Sequence, residues 1–569
     1  MKRFLSLFIA FAVALPLLAG PKDELHIVTT GDVHGAFFDR PYVGDGPSRS
    51  SLMSVKYYVD SLRTAVGRDN VLLLDCGDII QGDNASYYFN YVATDNPHIY
   101  PRIASYMGYD ACTVGNHDIE AGHAVYDRVL KELKDEGIPW LAANALKPDG
   151  DSYFPDQTVV YKGGRKILIL GFNNANIDNW LSEDLWSGMH HVSLVPFVQI
   201  AVNSSRAQVK PDLVVVLMHS GTGAGDGSII ESQALDVFNT IKGVDVLVCA
   251  HDHRPTTFAK EGCVLVNSGA RAANVGHAVI RWRGSKIASR RAELVRLDPS
   301  RVDEKMRARF AADWEAVHEF TVKPVGELTV RLDAKEAYRG MSAYVNLLHT
   351  VQLDASGADL SLAAPLSYSG VVEPGMLIYN DMFTVYPYEN KLYVLKLTGA
   401  EVRHMMEYSY DRWICMPGEH VLNIKLSPDP RTGADRWSFV NRSYNFDSVG
   451  GLVYEVDVTR PAGQRVKIIS LADGRPFEDT ASYSVAMTSY RANGGGSMLV
   501  EGAGIPRHEL DGRIVRKLPE VRNYVLSFIN SHGTVDRALV SDPALIGAWK
   551  FVPENVVLPL MEADMALVF

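Results

Sequence analysis

The stretch DACTVGNHDIEAG, residues 110–122, places Asn116, His117, Asp118 and Glu120 within five positions. A short apolar run precedes them and an amphipathic helical pattern follows, which predicts a turn from a strand into a helix. In open α/β sheets, ligands bind at such turns, outside the carboxyl ends of the strands. Asn116 offers an amide oxygen to a metal, and Glu120 lies one helical turn beyond His117, where it can orient the imidazole. By itself the cluster is more often a turn with a helix N-cap.

Four other apolar runs between Leu25 and Leu297 also end in polar clusters. Short β-rich runs alternate there with longer helical patterns, which predicts a layered α/β architecture. Strands of one sheet can end on one side, so we expect the five tips to converge. The four further clusters are GDVH at 31–34, CGD at 76–78, MHSG at 218–221 and AHDH at 250–253.

The converging side chains form a set of candidate metal ligands. Mixed imidazole and carboxylate ligation suits zinc, manganese or iron(II) better than calcium, and the number of ligands exceeds what one tetrahedral ion uses. Two ions that share the carboxylate of Asp78, which is alone on its tip, are the simplest arrangement. The predicted ligands are Asp32, His34, Asp78, Asn116, His219, His251 and His253.

The motifs GDVH, CGD, GNHD, MHSG and AHDH resemble the binuclear metallophosphatase domain of the 5′-nucleotidase superfamily, over roughly residues 25–297. The resemblance implies a calcineurin-like α/β/β/α domain over about residues 22–300, with two divalent ions of zinc, manganese, cobalt or iron. By position, the family pattern gives one ion Asp32, His34, Asp78 and His253. It gives the other ion Asp78, Asn116, His219 and His251.

The resemblance also implies catalytic roles for His117 and Glu120. His117 takes the position of the family's transition-state histidine, and Glu120 stands where the family usually has the orienting aspartate; Ala250 stands where a glycine is usual. Two divalent ions about 3.5–4 Å apart can lower the pKa of a bound water towards 7 and hold the hydroxide in line with a phosphorus atom. A cationic His117 would stabilise the developing charge or protonate the leaving alkoxide.

A helical linker at 301–323 is predicted to precede a second domain at 324–531, and residues 532–569 match neither domain pattern. The motifs GADLSLAAPLS, YNFDSVGG and SYRANGGGS resemble the α+β nucleoside-binding domain of the same superfamily. By this resemblance, Phe446 and Tyr490 match the pair that sandwiches a nucleobase, and the glycines permit close backbone approach to a ligand. The predicted substrate-binding residues are Tyr388, Asn390, Phe446, Tyr490, Arg491, Gly494 and Gly495.

The second domain also indicates a branch of the superfamily. The 5′-nucleotidases typically carry a Gly-Gly-Gly-Ile-Arg-like stretch and a Gly-Gly-Asp-Gly stretch, where this chain has AAPLS and GGGS. The segments AAPLS, YPYEN, YNFD, DIIQG and NANID look like the 2′,3′-cyclic-nucleotide 2′-phosphodiesterase/3′-nucleotidase branch. The alternatives are a 5′-nucleotidase or nucleotide-sugar hydrolase of the same superfamily, and a non-catalytic periplasmic protein that binds nucleotides or metal.

Residues 1–20 have the layout of a secretory signal peptide, with Lys2 and Arg3, an apolar run to Leu18 and small residues after it. A periplasmic or secreted location is therefore expected, and an uncleaved anchor is the alternative. No later stretch has the roughly 20 apolar residues that a membrane span needs. The net charge of −11 excludes a basic surface for a polynucleotide. We expect a monomer that acts on a small nucleotide.

The cysteines do not show the paired spacings of a zinc ribbon or redox motif. Their odd number leaves at least one unpaired, and most lie in or beside apolar runs, which favours buried thiols. The sequence is compatible with a disulfide between Cys249 and Cys263. The five are Cys76, Cys112, Cys249, Cys263 and Cys415.

Overall fold

The computed structural model describes residues 23–428 and 434–569. The predicted signal peptide at 1–20 lies outside the described residues. Within the described ranges, helices of the length and apolar character that a bilayer span requires are absent. All five cysteines are free thiols, so Cys249 and Cys263 do not bridge.

The N-terminal domain consists of two mainly parallel sheets with helices on their outer faces. Its strands are β1 (Glu24–Thr30), β2 (Val71–Asp75), β3 (Ala111–Thr113), β4 (Trp140–Leu141), β5 (Ala145–Leu146), β6 (Gln157–Lys162), β7 (Arg165–Phe172), β8 (His190–His191), β9 (Leu213–Met218), β10 (Val246–Cys249), β11 (Thr256–Lys260), β12 (Cys263–Asn267), β13 (Asn274–Arg283) and β14 (Lys286–Arg296). Its helices are α1 (Leu52–Val66), α2 (Asn84–Tyr87), α3 (Ile99–Met107), α4 (Asn116–Glu120), α5 (His123–Asp135), α6 (Ile177–Trp180), α7 (Glu183–Trp186), α8 (Leu194–Val209) and α9 (Ala234–Thr240).

The two sheets have the strand orders β14-β13-β1-β2-β3-β4 and β11-β12-β10-β9-β7-β6. Buried side chains of β1, β2, β7, β9 and β10 pack between them, because these strands are apolar on both faces. Helices α1, α3 and α5 cover the outer face of the first sheet, and α8 and α9 cover the second. The expected α/β/β/α layering is confirmed, although the five tips come from two packed sheets.

Strand register brings the tips to one edge. Thr30 pairs with Asp75 and Asp75 with Cys112, so β1, β2 and β3 end at the same level of the first sheet. Cys249 likewise pairs with Met218 in the second sheet. Every loop that carries a predicted ligand therefore leaves the same edge of the sandwich.

Helices α10 (Glu304–Arg309) and α11 (Ala311–Thr321) lead into a C-terminal α+β domain. Its strands are β15 (Pro324–Leu328), β16 (Leu332–Asp333), β17 (Leu360–Ala363), β18 (Val371–Val372), β19 (Gly375–Ile378), β20 (Lys391–Thr398), β21 (Ile424–Pro428), β22 (Asp435–Phe439), β23 (Ser448–Gly450), β24 (Leu452–Asp457), β25 (Val466–Leu471), β26 (Ser482–Thr488), β27 (Ile514–Glu520), β28 (Thr534–Val535) and β29 (Gly547–Val552). Its helices are α12 (Ala343–Ser356), α13 (Tyr379–Val385), α14 (Gly399–Trp413), α15 (Ser489–Ala492), α16 (Leu510–Arg513), α17 (Val521–His532), α18 (Arg537–Val540), α19 (Pro543–Ile546) and α20 (Glu554–Val568).

The C-terminal segment 532–569 is built into this domain. Strand β28 pairs with β15, and β29 pairs in parallel with β24 along six residues. Helix α20 buries Val557, Met561 and Met565 in the same core as α14. The segment therefore completes two sheets of the second domain.

Buried His349 joins two strands of the second domain. This α12 side chain lies 3.1 Å from Ser361 Oγ on β17 and 3.0 Å from Ser448 Oγ on β23. Burial lowers the pKa of His349 to about 3. An exposed histidine in the unfolded chain titrates near 6.5. The unfolded state therefore binds more protons between these two values.

We expect stability to fall as the pH falls from about 6.5 to 3, and His349 to contribute at most about 1.4 kcal/mol per pH unit. His349→Gln should lose part of this dependence, because an amide can bond both hydroxyls without titrating. Thermal unfolding midpoints at pH 7 and pH 5 measure the effect, with the exposed His508 as the control in His508→Gln. An unchanged pH dependence in His349→Gln would contradict the assignment.

Candidate active site

The loops at the strand tips have unusual backbone conformations. Nine non-glycine residues of the described chain have positive φ, and five of them are predicted metal ligands. Each such conformation costs on the order of 1–3 kcal/mol and persists where surrounding structure enforces it, most often at functional sites. The five are Asp32, His34, Asp78, His251 and His253, with φ between 48° and 85°.

Asp32, His34 and His253 form the first group, with ligand atoms within 4.8 Å of one another. The Nε2 atoms of the two histidines are 2.9 Å apart. His34 Nδ1 lies 3.0 Å from the carbonyl oxygen of Gln81 and donates to it, which leaves a lone pair on Nε2. Burial lowers the pKa of both imidazoles, so they are neutral, the form that coordinates a metal.

Asp78, His219 and His251 form the second group, also within 4.8 Å. Asn116 adjoins it, because its Oδ1 is 3.1 Å from His219 Nε2 and 2.8 Å from His251 Nδ1. Burial lowers the pKa of His219, but the Asp78 carboxylate outweighs it and raises the pKa to about 9. A cation bound here would displace that proton, because metal ligands bind in their deprotonated form.

The carboxylate of Asp78 supplies a test of whether a cation fits. Its Oδ1 accepts a hydrogen bond of 2.8 Å from the backbone of His117. Its Oδ2 is buried, lies 3.1 Å from His219 Nε2 and has no hydrogen bond of acceptable geometry. An incompletely satisfied buried carboxylate costs free energy unless a cation or a donor reaches it. The ligand atoms around Asp78 therefore fit divalent cations.

His117 and Glu120 form the pair that the sequence predicts. His117 Nδ1 is 2.5 Å from Glu120 Oε2, one turn along α4. Desolvation lowers the pKa of His117, but the carboxylates of Asp78 and Glu120 outweigh it and raise the pKa to about 10. The glutamate in place of the family's aspartate still reaches the imidazole. His117 Nε2 therefore remains free to face a ligand.

Asp118 has a supporting role that the sequence interpretation missed. Its buried carboxylate accepts backbone hydrogen bonds from Gly115 at 2.7 Å, Asp78 at 3.0 Å, Ile79 at 2.9 Å and Ile80 at 3.1 Å. These bonds clamp the turn after β2 against the turn after β3. The signal was present in the sequence, because Asp118 is the third residue of the Asn-His-Asp motif.

A cavity of about 1010 Å³ lies between the two domains, and the second ligand group reaches it through Asn116 and His251. The N-terminal domain contributes Asn116, His117, Glu120, Trp180 and His251 to its wall. The C-terminal domain contributes Tyr388, Asn390, Tyr444, Tyr490 and Arg491. One cavity therefore combines candidate metal ligands of the N-terminal domain with tyrosines of the C-terminal domain.

The prediction that Phe446 stacks on a ligand is wrong. Its side chain is fully buried, and its ring lies parallel to Trp413 with centroids 5.4 Å apart. Phe439 contacts the ring edge-on. Tyr444, two residues earlier, lines the cavity instead. In a short 3-10 turn (443–445), the sequence alone does not reveal which of two nearby aromatics faces outward.

Arg491 lines the cavity, but its guanidinium is bonded to other groups of the protein. Its guanidinium forms two bonds to the Asp447 carboxylate, of 3.1 and 2.7 Å. It also donates to the carbonyl oxygens of Tyr444 at 2.6 Å and Gly495 at 2.9 Å. Four of its five donors are thus occupied. Arg491 fixes the Tyr444 turn relative to the loop after Tyr490, and the prediction of direct substrate binding is not supported by its contacts.

Gly494 and Gly495 lie behind the cavity wall and are absent from its lining. A Cβ on Gly495 would be 2.6 Å from two ring atoms of Tyr490, so only glycine lets this ring lie against the loop. A Cβ on Gly494 would be 3.1 Å from Arg507 Nη1. The two glycines therefore permit the close approach of protein side chains. The predicted close approach of a ligand to these glycines is not observed.

Tyr388 and Asn390 line the cavity, as expected of substrate-binding residues. Their backbone is anchored, because the carbonyl oxygen of Tyr388 accepts from Arg522 at 3.0 Å and that of Asn390 accepts from Val521 at 3.0 Å. Both residues are therefore placed at the cavity by anchored backbone.

Two family models match the chain, one for each domain. Residues 25–255 match the model for calcineurin-like phosphoesterases, and residues 324–501 match the model for the 5′-nucleotidase C-terminal domain. The chain belongs to the 5′-nucleotidase superfamily.

Named relatives align with most of the chain. The chain is 24% identical to the 2′,3′-cyclic-nucleotide 2′-phosphodiesterase/3′-nucleotidase of Salmonella typhimurium, over 87% of this chain and 85% of that one. It is 23% identical to the trifunctional nucleotide phosphoesterase YfkN of Bacillus subtilis, over 94% of this chain but 39% of YfkN. A Staphylococcus aureus protein assigned as a 5′-nucleotidase has the same fold, with a TM-score of 0.76, 19% identity and coverage of 93% and 99% of the two chains.

Asp78→Asn should weaken divalent metal binding by at least about 100-fold, because loss of outer partners alone costs about 10–100-fold. The amide keeps the size of the side chain but removes its charge. Isothermal titration with Mn²⁺ measures the change, with Asp226→Asn on an exposed loop as the control. Wild-type affinity in Asp78→Asn would exclude Asp78 as a ligand.

Proposed function

We propose that this protein is an exported, metal-dependent hydrolase of nucleotide phosphoesters, of the 2′,3′-cyclic-nucleotide 2′-phosphodiesterase/3′-nucleotidase type. One observation carries the proposal: His117 and the ligands Asn116 and His251 from one domain, and tyrosines from the other, line the same cavity. A substrate with a phosphate at one end and an aromatic base at the other matches this division. Cavities between domains are frequent sites for small ligands.

Tyr444 and Tyr490 are the proposed base-binding residues. Tyr444 lies in a turn bonded to the Arg491 guanidinium and Tyr490 lies next to Arg491 in α15, so little ordering remains when a base binds. Stacking of a base on an aromatic side chain is worth about 1–3 kcal/mol and tolerates different bases. Tyr388 and Asn390 supply polar groups beside them.

Two divalent ions at the ligand groups would supply an activated water and Lewis-acid stabilisation of phosphoryl oxygens. Asp32, His34 and His253 would hold one, and Asn116, His219 and His251 the other, with Asp78 shared. His117 would then act on the substrate itself. Its Nδ1 is held by Glu120, so its Nε2 can donate a proton to the leaving oxygen or to a phosphoryl oxygen.

The branch within the superfamily is supported by sequence and by relatives. AAPLS and GGGS replace the arginine and aspartate stretches typical of 5′-nucleotidases. Three relatives at 23–25% identity carry the 2′,3′-cyclic-nucleotide 2′-phosphodiesterase/3′-nucleotidase name. A 5′-nucleotidase is the second candidate, favoured by the S. aureus structure. Capture of a nucleotide without turnover would not require the His117–Glu120 pair.

Export is proposed from residues 1–20, whose charged start and apolar run are typical of a signal peptide. A periplasmic or secreted enzyme of this class would meet free nucleotides. The monomeric state remains a prediction.

His117→Gln should lower kcat for a nucleotide by about 10²–10⁴-fold, the usual contribution of general acid–base catalysis. Mn²⁺ affinity should stay near the wild-type value, because the imidazole of His117 is outside both ligand groups. Steady-state kinetics and isothermal titration separate the two effects. An unchanged kcat would refute the proposed role, and lost metal binding would indicate a structural one.

We expect 2′,3′-cyclic AMP and 3′-AMP to be cleaved with higher kcat/KM than 5′-AMP. Tyr444→Ala should raise KM for each of them by about 5- to 160-fold, the equivalent of about 1–3 kcal/mol of stacking. The KM for bis-p-nitrophenyl phosphate should change by less than about twofold. Phosphate or nitrophenol release measures the rates.

Tyr161→Ala is the matched control, because this tyrosine is exposed on β6.

Chelation of metal should abolish turnover, and Mn²⁺, Co²⁺ or Zn²⁺ should restore it. A preference for 5′-AMP would favour the second candidate. Ligand-dependent thermal protection without any turnover would favour a binding protein.

A further inference from the structure

The segment 173–180, which contains the NANID motif, forms a platform after β7. Asn174 accepts a 3.0 Å hydrogen bond from the backbone of Asn176 and donates a 3.1 Å bond to the carbonyl oxygen of Glu231. The platform ends in the short helix α6, whose last residue is Trp180. These bonds anchor the segment just before α6.

Trp180 connects this platform to the candidate metal centre. Its indole stacks on the imidazole of His251, with ring centroids 5.4 Å apart and planes 21° from parallel. Trp180 also lines the cavity between the domains. A shift of α6 would therefore move a surface against which a candidate metal ligand packs.

Arg507 of the C-terminal domain reaches the same helix across the cleft. Its Nη1 donates to the carbonyl oxygen of Asn179 at 3.2 Å, next to Trp180. The same Nη1 donates to the carbonyl oxygen of Asn493 at 3.0 Å, three residues beyond Tyr490. Gly494 leaves space for this approach. One guanidinium therefore bridges the platform of the metal centre and the loop of the base-binding tyrosine.

We propose that Arg507 is a positioning residue that sets the distance between the metal centre and the base-binding loop. The inference rests on the proposed function, because it assigns separate ends of one substrate to the two domains. Arg507 does not line the cavity, so its effect on a substrate is indirect. Substrates that contact both ends depend on the bridge, whereas a phosphate ester without a base uses the metal end alone.

The bridge has a measurable consequence for rate. Small errors in the placement of a reacting phosphate reduce the rate because the reaction requires close alignment. Removing one charge-assisted hydrogen bond costs enough to change a rate constant about tenfold. We therefore expect Arg507→Ala to lower the ratio of kcat/KM for 2′,3′-cyclic AMP to that for bis-p-nitrophenyl phosphate by about tenfold. Arg507→Lys should recover part of the ratio, because an ammonium also donates to carbonyl oxygens.

The experiment compares wild type, Arg507→Ala, Arg507→Lys and the control Arg475→Ala. Arg475 is exposed in the same domain and pairs with Asp473, away from the cleft. Both substrates are assayed, and 3′-AMP or 5′-AMP replaces 2′,3′-cyclic AMP if wild type prefers it. Hydrogen–deuterium exchange of metal-loaded protein is measured in parallel at residues 174–182 and 490–497. Faster exchange in both segments of Arg507→Ala, and not in Arg475→Ala, is expected.

The outcomes separate this inference from the proposed function. Equal loss on both substrates, or no loss on either, overturns the role of Arg507 even when nucleotides are cleaved. If wild type cleaves no nucleotide, the proposed function fails and exchange decides the bridge: unchanged exchange in Arg507→Ala overturns it. A lowered ratio with partial recovery in Arg507→Lys and faster exchange in both segments supports it.

Discussion

The buried carboxylate of Asp78 is the constraint on which the site depends. It lies where two sheets end at the same edge, and its Oδ2 lacks an adequate protein donor. The chain keeps it there through backbone bonds between strained loops, including those from Asp32 to Gly77 and from His34 to Asp78, both 2.9 Å. Asp118 adds four more backbone bonds to the neighbouring turns. The layered core supplies the stability that offsets this local cost.

The second domain depends on a buried ion pair that fixes its part of the cavity wall. The pair of Arg491 and Asp447 is fully buried, and removing either partner would leave an uncompensated charge. Its hydrogen bonds to the carbonyls of Tyr444 and Gly495 tie two aromatic loops into one rigid wall. A rigid wall loses little entropy when a ligand stacks on it. Both halves of the cavity are therefore organised before a substrate arrives.

The sequence predicted the layered fold, because apolar runs followed by polar tips report both burial and strand ends. It predicted the convergence of the ligand set for the same reason, and the pairing of Glu120 with His117 from helical spacing. It did not reveal that the tips come from two sheets, since strand order depends on long-range pairing. The family resemblance assigned base stacking to Phe446 and did not identify Tyr444, because the direction of a side chain in a short turn depends on tertiary packing. The contacts of Trp180 and Arg507 join segments that are distant in the sequence, and such contacts leave no local pattern.

Electrostatics links the two ends of the cavity. Its wall carries the carboxylates of Glu120, Glu231, Glu389 and Glu520. Burial, opposed by Arg522 and reinforced by neighbouring glutamates, raises the pKa of Glu389 to about 7. The lysine and arginine side chains of the wall, Arg128, Lys391 and Arg491, are already engaged by carbonyl oxygens or by aspartates, and the cationic His117 is paired with Glu120. Cations at the ligand groups would therefore add to the attraction between this cavity and a phosphate anion. Binding couplings are reciprocal. The factor by which bound cations raise the affinity for phosphate is therefore also the factor by which bound phosphate raises the affinity for the cations. If the proposed function holds, metal occupancy and substrate binding are parts of one equilibrium.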